Sequence, residues 1–389
     1  MIGSRTYLDY NATAPLRPEA REAMLQVLET FGNASSVHTE GRQARATIEA
    51  ARAQVATLAG AAARDVIFTS GATEASNWVM AQPWRAIFIS AVEHPAVSAP
   101  ARRTGARVAV IPVDHAGRID PDALGALIDS VIDDVSEVAD EAMRGDLVLV
   151  AVQHANNETG VVQPIAEIAS VVHERGARLM VDGVQAAGRV VLDQRGHEID
   201  YLLLSSHKIG GPQGVGALVV REGAALQPLL VGGGQERGQR PGTENVAAIA
   251  GFGAAAAAAL RDLDGVEHLA ALRDQLQTGL MQATRDLSVI GGDANRLCNT
   301  LLVSLPGVAS ETAVIAFDLA GVAVSSGAAC SSGKTNRSPV LAAMGVADDI
   351  AKCAVRFSVG WATTEDDIAR CVAAWRRVEK IRNGDRRVA

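Results

Sequence analysis

LLLSSHKIGGPQGVGALVV, residues 202–220, contains two apolar runs that flank a polar and glycine-rich turn. Continuous apolar runs of this length indicate strands buried on both faces, so the stretch predicts two neighbouring strands of a sheet. The turn begins Ser205-Ser206-His207-Lys208, where a hairpin would ordinarily carry Asn-Gly. Burying a lysine and a histidine beside apolar strands costs free energy, and we therefore expect this turn to have a function.

Similar apolar runs precede this stretch and alternate with amphipathic, helix-length segments such as residues 40–60 and 163–177. Strands that alternate with helices form a mostly parallel sheet covered by helices on both faces. We predict an α/β fold whose large domain contains a mostly parallel seven-stranded sheet flanked by helices. The strand candidates are DVIFTS (65–70), RAIFIS (85–90), RVAVIPV (107–113), DLVLVAVQ (146–153), RLMVDG (178–183), YLLLSS (201–206) and GALVV (216–220).

The pattern changes in the last third of the chain. Helix-like segments there mix with the strand candidates NTLLVSLP (299–306) and AVRFSVG (354–360). This mixture predicts a smaller α+β domain. We predict that residues 15–260 form the large domain, and that residues 1–14 and 261–389 form the small one.

The composition is that of a globular protein without a strong charge bias. The chain has 389 residues, of which 48% are apolar, and a formal net charge of −8. It has no Lys/Arg block, no apolar signal-peptide core at its N-terminus, and no C-x-x-C pair among its four cysteines. The Ala-rich residues 245–260 are fewer than the ~20 that span a bilayer. We expect a cytoplasmic protein that binds no nucleic acid, membrane or metal.

Two charged residues stand where consecutive strands end. Asp182 follows a very apolar run, and Lys208 follows the next one. Ligands of open parallel sheets bind at the carboxyl ends of the strands. A buried carboxylate there needs a positive partner, which a structural arginine or a protonated heterocycle could supply. A desolvated lysine becomes a nucleophilic amine.

Other strand ends carry weaker signals. Ala72 and Thr73 follow a strand and a glycine and precede a helix, which suits a phosphate, although Thr73 could simply cap the helix. His94 follows another strand, and Asn156 lies in a loop whose Asn-Asn pair is typical of turns. Pyridoxal phosphate (PLP) explains these residues together: Lys208 for its Schiff base, a carboxylate for its ring nitrogen, Thr73 for its phosphate and His94 to stack on its ring.

Two loops add further candidates. Cys330 lies in the Gly/Ser-rich residues 325–339 and is a candidate reactive thiol, whereas the other three cysteines lie in apolar patterns and are predicted to be buried. Residues 232–245 are rich in glycine and arginine, and Thr243 there could reach a phosphate of a neighbouring subunit. Arg356 lies in a small-domain strand and either faces solvent or clamps a substrate carboxylate.

Ten motifs of the chain resemble, in order, those of the NifS/IscS-type cysteine desulfurases, PLP enzymes of the class V aminotransferase group. The resemblance covers nearly the whole chain and implies a fold-type I PLP-dependent transferase that is a homodimer. The motifs are YLDYNATAP, FGNASSVH, FTSGATE, VEHPAV, NNETG, VDGVQAAG, SSHKIGGPQG, GGGQERGQRPGTEN, SSGAACSSG and VRFSVG.

The resemblance also implies the roles of individual residues. Lys208 would carry the cofactor, His94 would stack on its ring and could move protons, and Cys330 would take the sulfur of L-cysteine as a persulfide. L-Alanine would leave, and the sulfur would pass to an acceptor or iron–sulfur scaffold protein. Asn156 and Arg356 would bind the substrate carboxylate. Asp182 would pair with the ring nitrogen of the cofactor and Gln185 with its ring oxygen. The cofactor would thus be held by His94, Asp182, Gln185 and Lys208 and, at its phosphate, by Ala72, Thr73, Ser205, His207 and Thr243 of the partner subunit.

The chain departs from the usual family motifs at Ser206, Gln213, Ala328 and residues 334–339. The C-terminal residues 379–389 also differ from the ending of the housekeeping form. The last two departures, at residues 334–339 and 379–389, leave the acceptor open, which could serve general iron–sulfur assembly, nitrogenase maturation or transfer-RNA thiolation. Two alternative functions also stay open. One is a selenocysteine lyase or another class V aminotransferase-type enzyme. The other is a protein without activity that serves as a scaffold or sulfur-binding partner.

Overall fold

The computed structural model describes residues 5–135, 147–327 and 338–384. The strands are β1 Thr6–Tyr7, β2 Val66–Thr69, β3 Ala86–Ser90, β4 Arg107–Ile111, β5 Val148–Gln153, β6 Arg178–Asp182, β7 Tyr201–Ser205, β8 Gly216–Val220, β9 Ser288–Val289, β10 Thr300–Ser304, β11 Val322–Ala323, β12 Ser325–Ser326 and β13 Ala354–Ser358. The helices are α1 Pro18–Leu28, α2 Thr39–Ala59, α3 Ala72–Met80, α4 Pro95–Ala101, α5 Pro121–Val135, α6 Ile165–His173, α7 Val246–Asp262, α8 Val266–Ala283, α9 Ser310–Leu319, α10 Pro339–Ala343, α11 Asp348–Ala351 and α12 Glu365–Arg382.

Seven strands of the described residues form the central sheet, in the order β2-β8-β7-β6-β5-β3-β4. Pairs among β4, β3, β5, β6 and β7 are parallel, whereas β8 runs antiparallel to both of its neighbours. The connection from β7 to β8 is too short for the crossover that a parallel pair needs, so these two strands pair antiparallel. The predicted α/β fold with a mostly parallel seven-stranded sheet is confirmed.

Both faces of this sheet are covered, which explains the continuous apolar runs. In β5, Val150 and Val152 belong to one hydrophobic cluster, while Leu149 and Ala151 belong to another on the opposite face. The first cluster includes residues of α2, α5, α6 and α7, and the second includes residues of α3 and α4. Alternate side chains of a strand point to opposite faces, so a strand between two helical layers needs apolar residues at every position.

A third cluster lies around the antiparallel sheet β12-β13-β10-β9 and includes residues of α8, α9 and α12. Phe317 packs edge-on against Phe357, and Trp375 lies beside them. Leu8, near the N-terminus, is fully buried in this cluster. The N-terminal segment thus packs with residues that follow the large sheet in sequence. The domain boundaries given above remain a prediction.

The Ala-rich segment forms α7, which packs against α1 and α2. A Cβ at Gly253 would lie 2.6 Å from the Cα of Ala51, so glycine is what allows α7 and α2 to approach so closely. By length and composition alone, the helical stretch Val246–Ala283 could cross a membrane, and 56% of its most apolar window is buried inside the protein. A buried core helix has the same composition.

Candidate active site

A cavity of about 500 Å³ opens at the carboxyl ends of β5, β6 and β7. Its size is typical of a cofactor site. The N-terminal segment and β13 complete its wall, so residues distant in sequence meet here. The lining residues are Asn11, Ala12, Ser70, Gly71, Ala72, Thr73, Glu74, His94, Ala96, Gln153, Ala155, Asn157, Asp182, Val184, Gln185, Ser205, His207, Lys208, Gln213, Gly214 and Arg356.

Asp182 and Lys208 line this one cavity, as the sequence predicted. Asp182 ends β6, and Lys208 lies three residues beyond the end of β7, which is the parallel neighbour of β6. The Lys208 amine donates to the carbonyl oxygens of Asn11, at 2.7 Å, and Ala12, at 2.9 Å. The backbone of the N-terminal segment therefore fixes the position of the amine.

Asp182 is 9% exposed, and within the described part of the chain its carboxyl accepts one hydrogen bond, from the Val184 amide at 2.9 Å. Burial raises its pKa, and the Val184 amide, His94 and Lys208 only partly offset that effect. A further positive group in the cavity would stabilise the carboxylate. A protonated pyridine nitrogen is such a group.

His94 caps the start of α4, where its Nδ1 accepts the Ala96 amide at 3.0 Å. The neutral ring therefore carries its proton on Nε2. Burial lowers the pKa of His94, Asp182 opposes the shift and Lys208 adds to it. A neutral imidazole that lines the cavity is suited to stack on a heterocycle.

The start of α3 lines one part of the cavity through Ala72 and Thr73. The first amides of a helix have no partner inside the helix, and together with the helix dipole they attract an anion. Gly216 of β8 lets the turn before α3 lie close, because a Cβ at this position would lie 2.7 Å from the Cα of Gly71. This part of the cavity offers the donors that a phosphate needs.

Ser205, the last residue of β7, and His207, in the turn that follows, also line the cavity. The His207 Nδ1 lies 3.1 Å from the Thr13 hydroxyl. Burial lowers the pKa of His207 to about 4, and the nearby Lys208 contributes to the shift. At neutral pH His207 is therefore an uncharged hydrogen-bonding group.

Arg356 of β13 is 1% exposed and lies in the cavity wall. Its Nη2 donates to the Asp9 carboxylate at 2.8 Å, and its Nη1 donates to the Asn157 carbonyl at 2.9 Å. Its buried Nε has no hydrogen-bond partner among the described residues. Arg356 does not face solvent, and it offers positive charge where a carboxylate could bind.

The prediction for Asn156 does not fit the structure and is corrected here. The Asn156 side chain is buried outside the cavity wall, where its Nδ2 donates to the Val92 carbonyl at 3.3 Å. Its Oδ1 accepts the backbone amides of Glu158 and Thr159. These bonds hold the turn, and the following residue, Asn157, lines the cavity instead. An Asn-Asn pair does not reveal from sequence which member faces the ligand.

Glu93, Asn11 and Gln153 line or adjoin the site and were not predicted. The Glu93 carboxyl is buried, and its Oε1 accepts the Gln153 amide. Burial raises the pKa of Glu93 well above its ordinary value, and the nearby Asp182 raises it further. Burial thus favours the protonated form of Glu93 beside Asp182. Its place next to His94 in the sequence was the only available signal.

Two predicted site residues lie elsewhere. Thr243 is exposed and does not line the cavity of its own chain. Cys330 and Ala328 lie outside the described residues. The other cysteines, Cys298, Cys353 and Cys371, are buried, as predicted.

The residues of the cavity fit PLP. A lysine amine and a buried acid line one wall, together with a neutral histidine. Helix-start amides, hydroxyls and a second histidine supply donors for a phosphate. The observation that carries this fit is geometric: Asp182 and Lys208 line one cavity, and the buried Asp182 carboxyl accepts a hydrogen bond from the Val184 amide but forms no ion pair within the described residues. The raised pKa of Asp182 agrees with this shortage of positive charge.

Comparisons with known proteins agree with this fit. The Aminotransferase class-V family matches residues 6–371. The cysteine desulfurase IscS of Dictyoglomus turgidum is 38% identical over 389 residues, covering 97% of this chain and 95% of the relative. A cysteine desulfurase of Cereibacter sphaeroides is 43% identical over 378 residues, covering 94% and 93%.

Among solved structures, the NifS-like protein of Rickettsia africae superposes with a TM-score of 0.86 at 33% identity, covering 97% of this chain and 99% of that one. The order of the motifs, the topology of the sheet and the set of groups around the cavity therefore agree. The chain belongs to the class V aminotransferase family of PLP-dependent enzymes, and within it to the NifS/IscS-type cysteine desulfurases.

Proposed function

We propose that this protein removes sulfur from L-cysteine, releases L-alanine and holds the sulfur as a persulfide on Cys330 for delivery to an acceptor. The observation that carries the proposal is the shared cavity of Lys208 and Asp182. When bound, PLP supplies the electron sink that makes the substrate Cα acidic. The residues of this chain position the reactants and move the protons.

The substrate carboxylate binds at Arg356, beside Asn157. The contacts to Asp9 and to the Asn157 carbonyl hold the guanidinium in one orientation before substrate arrives. A preorganised guanidinium loses little entropy when it binds a carboxylate. Asn157 lines the cavity together with Arg356, and we propose that it, and not Asn156, helps to bind the substrate carboxylate.

The Lys208 amine, which lines the cavity and is held by the Asn11 and Ala12 carbonyls, would take the proton from the substrate Cα. The neutral His94 is placed to exchange protons through Nε2, because its Nδ1 is occupied by the Ala96 amide. Asp182 keeps the ring nitrogen protonated. Ala72, Thr73, Ser205 and His207 hold the phosphate.

Sulfur transfer is a nucleophilic substitution at the sulfur atom of the substrate. The Cys330 thiolate attacks the substrate sulfur, an S–S bond forms and the C–S bond breaks. The electron pair of the C–S bond stays with the substrate carbon, which takes a proton and leaves as alanine.

A homodimer is also proposed, with Thr243 of one subunit completing the phosphate site of the other. Phe31 is 82% exposed and Val231 is fully exposed in the single chain. A dimer that covered these side chains would remove apolar surface from water, which is favourable. A cytoplasmic location and an iron–sulfur scaffold as acceptor are proposed on the family likeness alone.

The test is mass spectrometry of the peptides after incubation with L-cysteine. We expect the mass of one sulfur atom to be added to the peptide that contains Cys330. Cys330→Ser should remain yellow with bound cofactor but form no persulfide. Cys353→Ser, at a buried cysteine in the turn before β13, should still form the persulfide on Cys330. Undiminished sulfur release by Cys330→Ser would refute the role of the thiol.

A further inference from the structure

Arg189 lies behind the cavity wall and makes contacts that none of the roles above uses. Its side chain is buried, at 9% exposure. Nη1 donates to both oxygens of Gln185, the backbone carbonyl at 2.8 Å and the side-chain Oε1 at 2.7 Å. Nη2 reaches the Lys208 carbonyl at 3.4 Å. One guanidinium thus links two residues that line the cavity.

All of these acceptors are neutral oxygens. No carboxylate of the described residues forms an ion pair with Arg189. Burial lowers the pKa of Arg189 to about 10, Cys298 opposes the shift and Arg356 adds to it. Burial also raises the pKa of Cys298, so the thiol keeps its proton at neutral pH. Arg189 is therefore a buried positive charge that still lacks an anion, which is costly without a compensating ligand.

Arg189 also fixes the orientation of the Gln185 amide. Because Oε1 accepts from Arg189, the amide must present Nε2 on its other side. One Nε2 hydrogen is donated to the Asn11 carbonyl at 3.0 Å. The other hydrogen can be donated to an acceptor in the cavity, which Gln185 lines.

The position of that acceptor follows from Lys208. The Asn11 carbonyl that accepts from Gln185 Nε2 also accepts from the Lys208 amine, at 2.7 Å. An acceptor beside Gln185 therefore lies near the Lys208 amine, and the resemblance to the cysteine desulfurases implies that this acceptor is the ring oxygen of PLP. In PLP, the oxygen on the ring carbon adjacent to the aldehyde carbon is an anionic phenolate.

We propose that Arg189 is a positioning residue for this phenolate oxygen, acting through the side-chain amide of Gln185. Its charge and its hydrogen bond make Gln185 a stronger and correctly oriented donor. The inference rests on PLP as the cofactor of the cavity, and not on the fate of the sulfur.

The proposal has a measurable consequence before any substrate is added. A positive charge and a donor near the phenolate stabilise the anionic oxygen, so the proton of the neighbouring lysine–cofactor linkage is held less tightly. Removing Arg189 should therefore raise the pH at which that linkage loses its proton. The variants below leave the other charged and titratable groups around the cavity and beside Arg189 in place: Asp9, Glu74, Glu93, His94, Asp182, His207, Lys208, Cys298 and Arg356.

The experiment is a pH titration of the visible absorbance of the PLP-loaded enzyme without L-cysteine. In Arg189→Leu we expect the midpoint to rise by about one pH unit and the dissociation constant of PLP to increase about tenfold. Arg189→Lys keeps the charge and should recover part of both effects. Arg296→Leu is the control, because it removes an arginine that donates to a glutamine, Gln277 at 3.0 Å, away from the cavity.

A double-mutant cycle separates this role from a structural one. Gln185→Leu should shift the midpoint in the same direction, and adding Arg189→Leu to it should shift the midpoint little further. If Arg189→Leu fails to fold, the midpoint is measured instead in Arg189→Lys, alone and combined with Gln185→Leu. An unchanged midpoint in a folded, PLP-loaded Arg189 variant would overturn the proposal, while persulfide formation on Cys330 would still stand or fall by its own assay.

Discussion

Arg52 and Arg189 are both buried arginines of the large sheet region, yet their surroundings are opposite. Arg52 donates to both carboxylate oxygens of Glu236, at 2.6 and 2.8 Å. Burial lowers its pKa, but the bonds and charges of Glu236 and Glu49 outweigh burial, so the pKa is raised overall. Arg189 contacts neutral oxygens, and its pKa is lowered.

This difference in partners distinguishes two kinds of buried charge. Arg52 forms an ion pair that stabilises the fold, whereas Arg189 has no such partner in the part of the chain that the structure describes. Glu236 has a left-handed backbone, with φ of 46°, a conformation that costs free energy for a residue other than glycine. That conformation accompanies a complete ion pair. Beside the cavity, Asp182 and Arg189 are buried without a full ion-pair partner among the described residues; bound PLP would offer positive charge to Asp182 directly and an acceptor to Arg189 only through Gln185.

The largest effect on stability should come from breaking the complete pair. Arg52→Leu leaves the Glu236 carboxylate buried without its partner, so the free energy of unfolding should fall by about 3–5 kcal/mol. Urea denaturation of the variant and the parent measures the loss. The absorbance of bound PLP under native conditions should not change.

The matched control for that pair is Arg52→Met combined with Glu236→Gln. Removing both charges should restore part of the lost stability. If the single variant lost less than about 1 kcal/mol, a value typical of exposed pairs, the contrast between the two arginines would be wrong.

Asp182→Asn should have the opposite pattern, with a large loss of activity and no loss of stability. Without the carboxylate the ring nitrogen loses its proton more easily, and a decrease of two pKa units would lower turnover about 100-fold. The pKa of Asp182 is raised in the folded apoprotein. The ionisation of Asp182 therefore lowers the free energy of unfolding of the apoprotein once the pH exceeds the ordinary pKa of an Asp. The apoprotein of the variant should therefore be as stable as the parent at pH 7, or more stable.

Turnover of L-cysteine and thermal unfolding of the apoprotein measure these two effects. If the Asp182→Asn apoprotein unfolded at a much lower temperature than the parent at pH 7, Asp182 would be shown to stabilise the fold. Asp182 would then be a residue that stabilises the fold, like Arg52, and not a buried charge that is fully compensated only when PLP binds, like Arg189.

The smallest effect concerns His154, a buried neutral group at the end of β5. Burial lowers its pKa to about 4, and His197 adds to the shift. The unfolded chain binds a proton below about pH 6.5 while the folded chain does not, so stability is complete above that pH and is lost as the pH falls towards 4. This one group should account for about 2 kcal/mol of lost stability between pH 7 and pH 5.

Urea denaturation at both pH values tests this with His154→Asn, whose stability should depend less on pH than that of the parent. The control is His115→Asn, because His115 is exposed. Equal pH dependence in the parent and in His154→Asn would contradict the assignment.

Much of the fold could be predicted from local patterns. Each of the seven apolar runs became one strand of the central sheet, with ends that differ from the prediction by at most two residues. Asp182 and Lys208 could be predicted because charged residues at the ends of buried runs are unusual. The short strands β1, β9, β11 and β12 have no such pattern, since two residues are too few to show a period.

The amino-acid sequence alone determined the alternation of strands and helices, the chemistry of the lysine–acid pair and the likeness to a family. Hydrophobic periodicity and side-chain chemistry are local properties, so they can be read one segment at a time. The tertiary structure alone decided that the carbonyls of the N-terminal segment hold the Lys208 amine, that Asn157 and not Asn156 lines the cavity, and that Arg189 is buried behind Gln185. These facts depend on packing between segments up to 197 residues apart. No local pattern encodes such contacts, because their energies exist only once the segments have met.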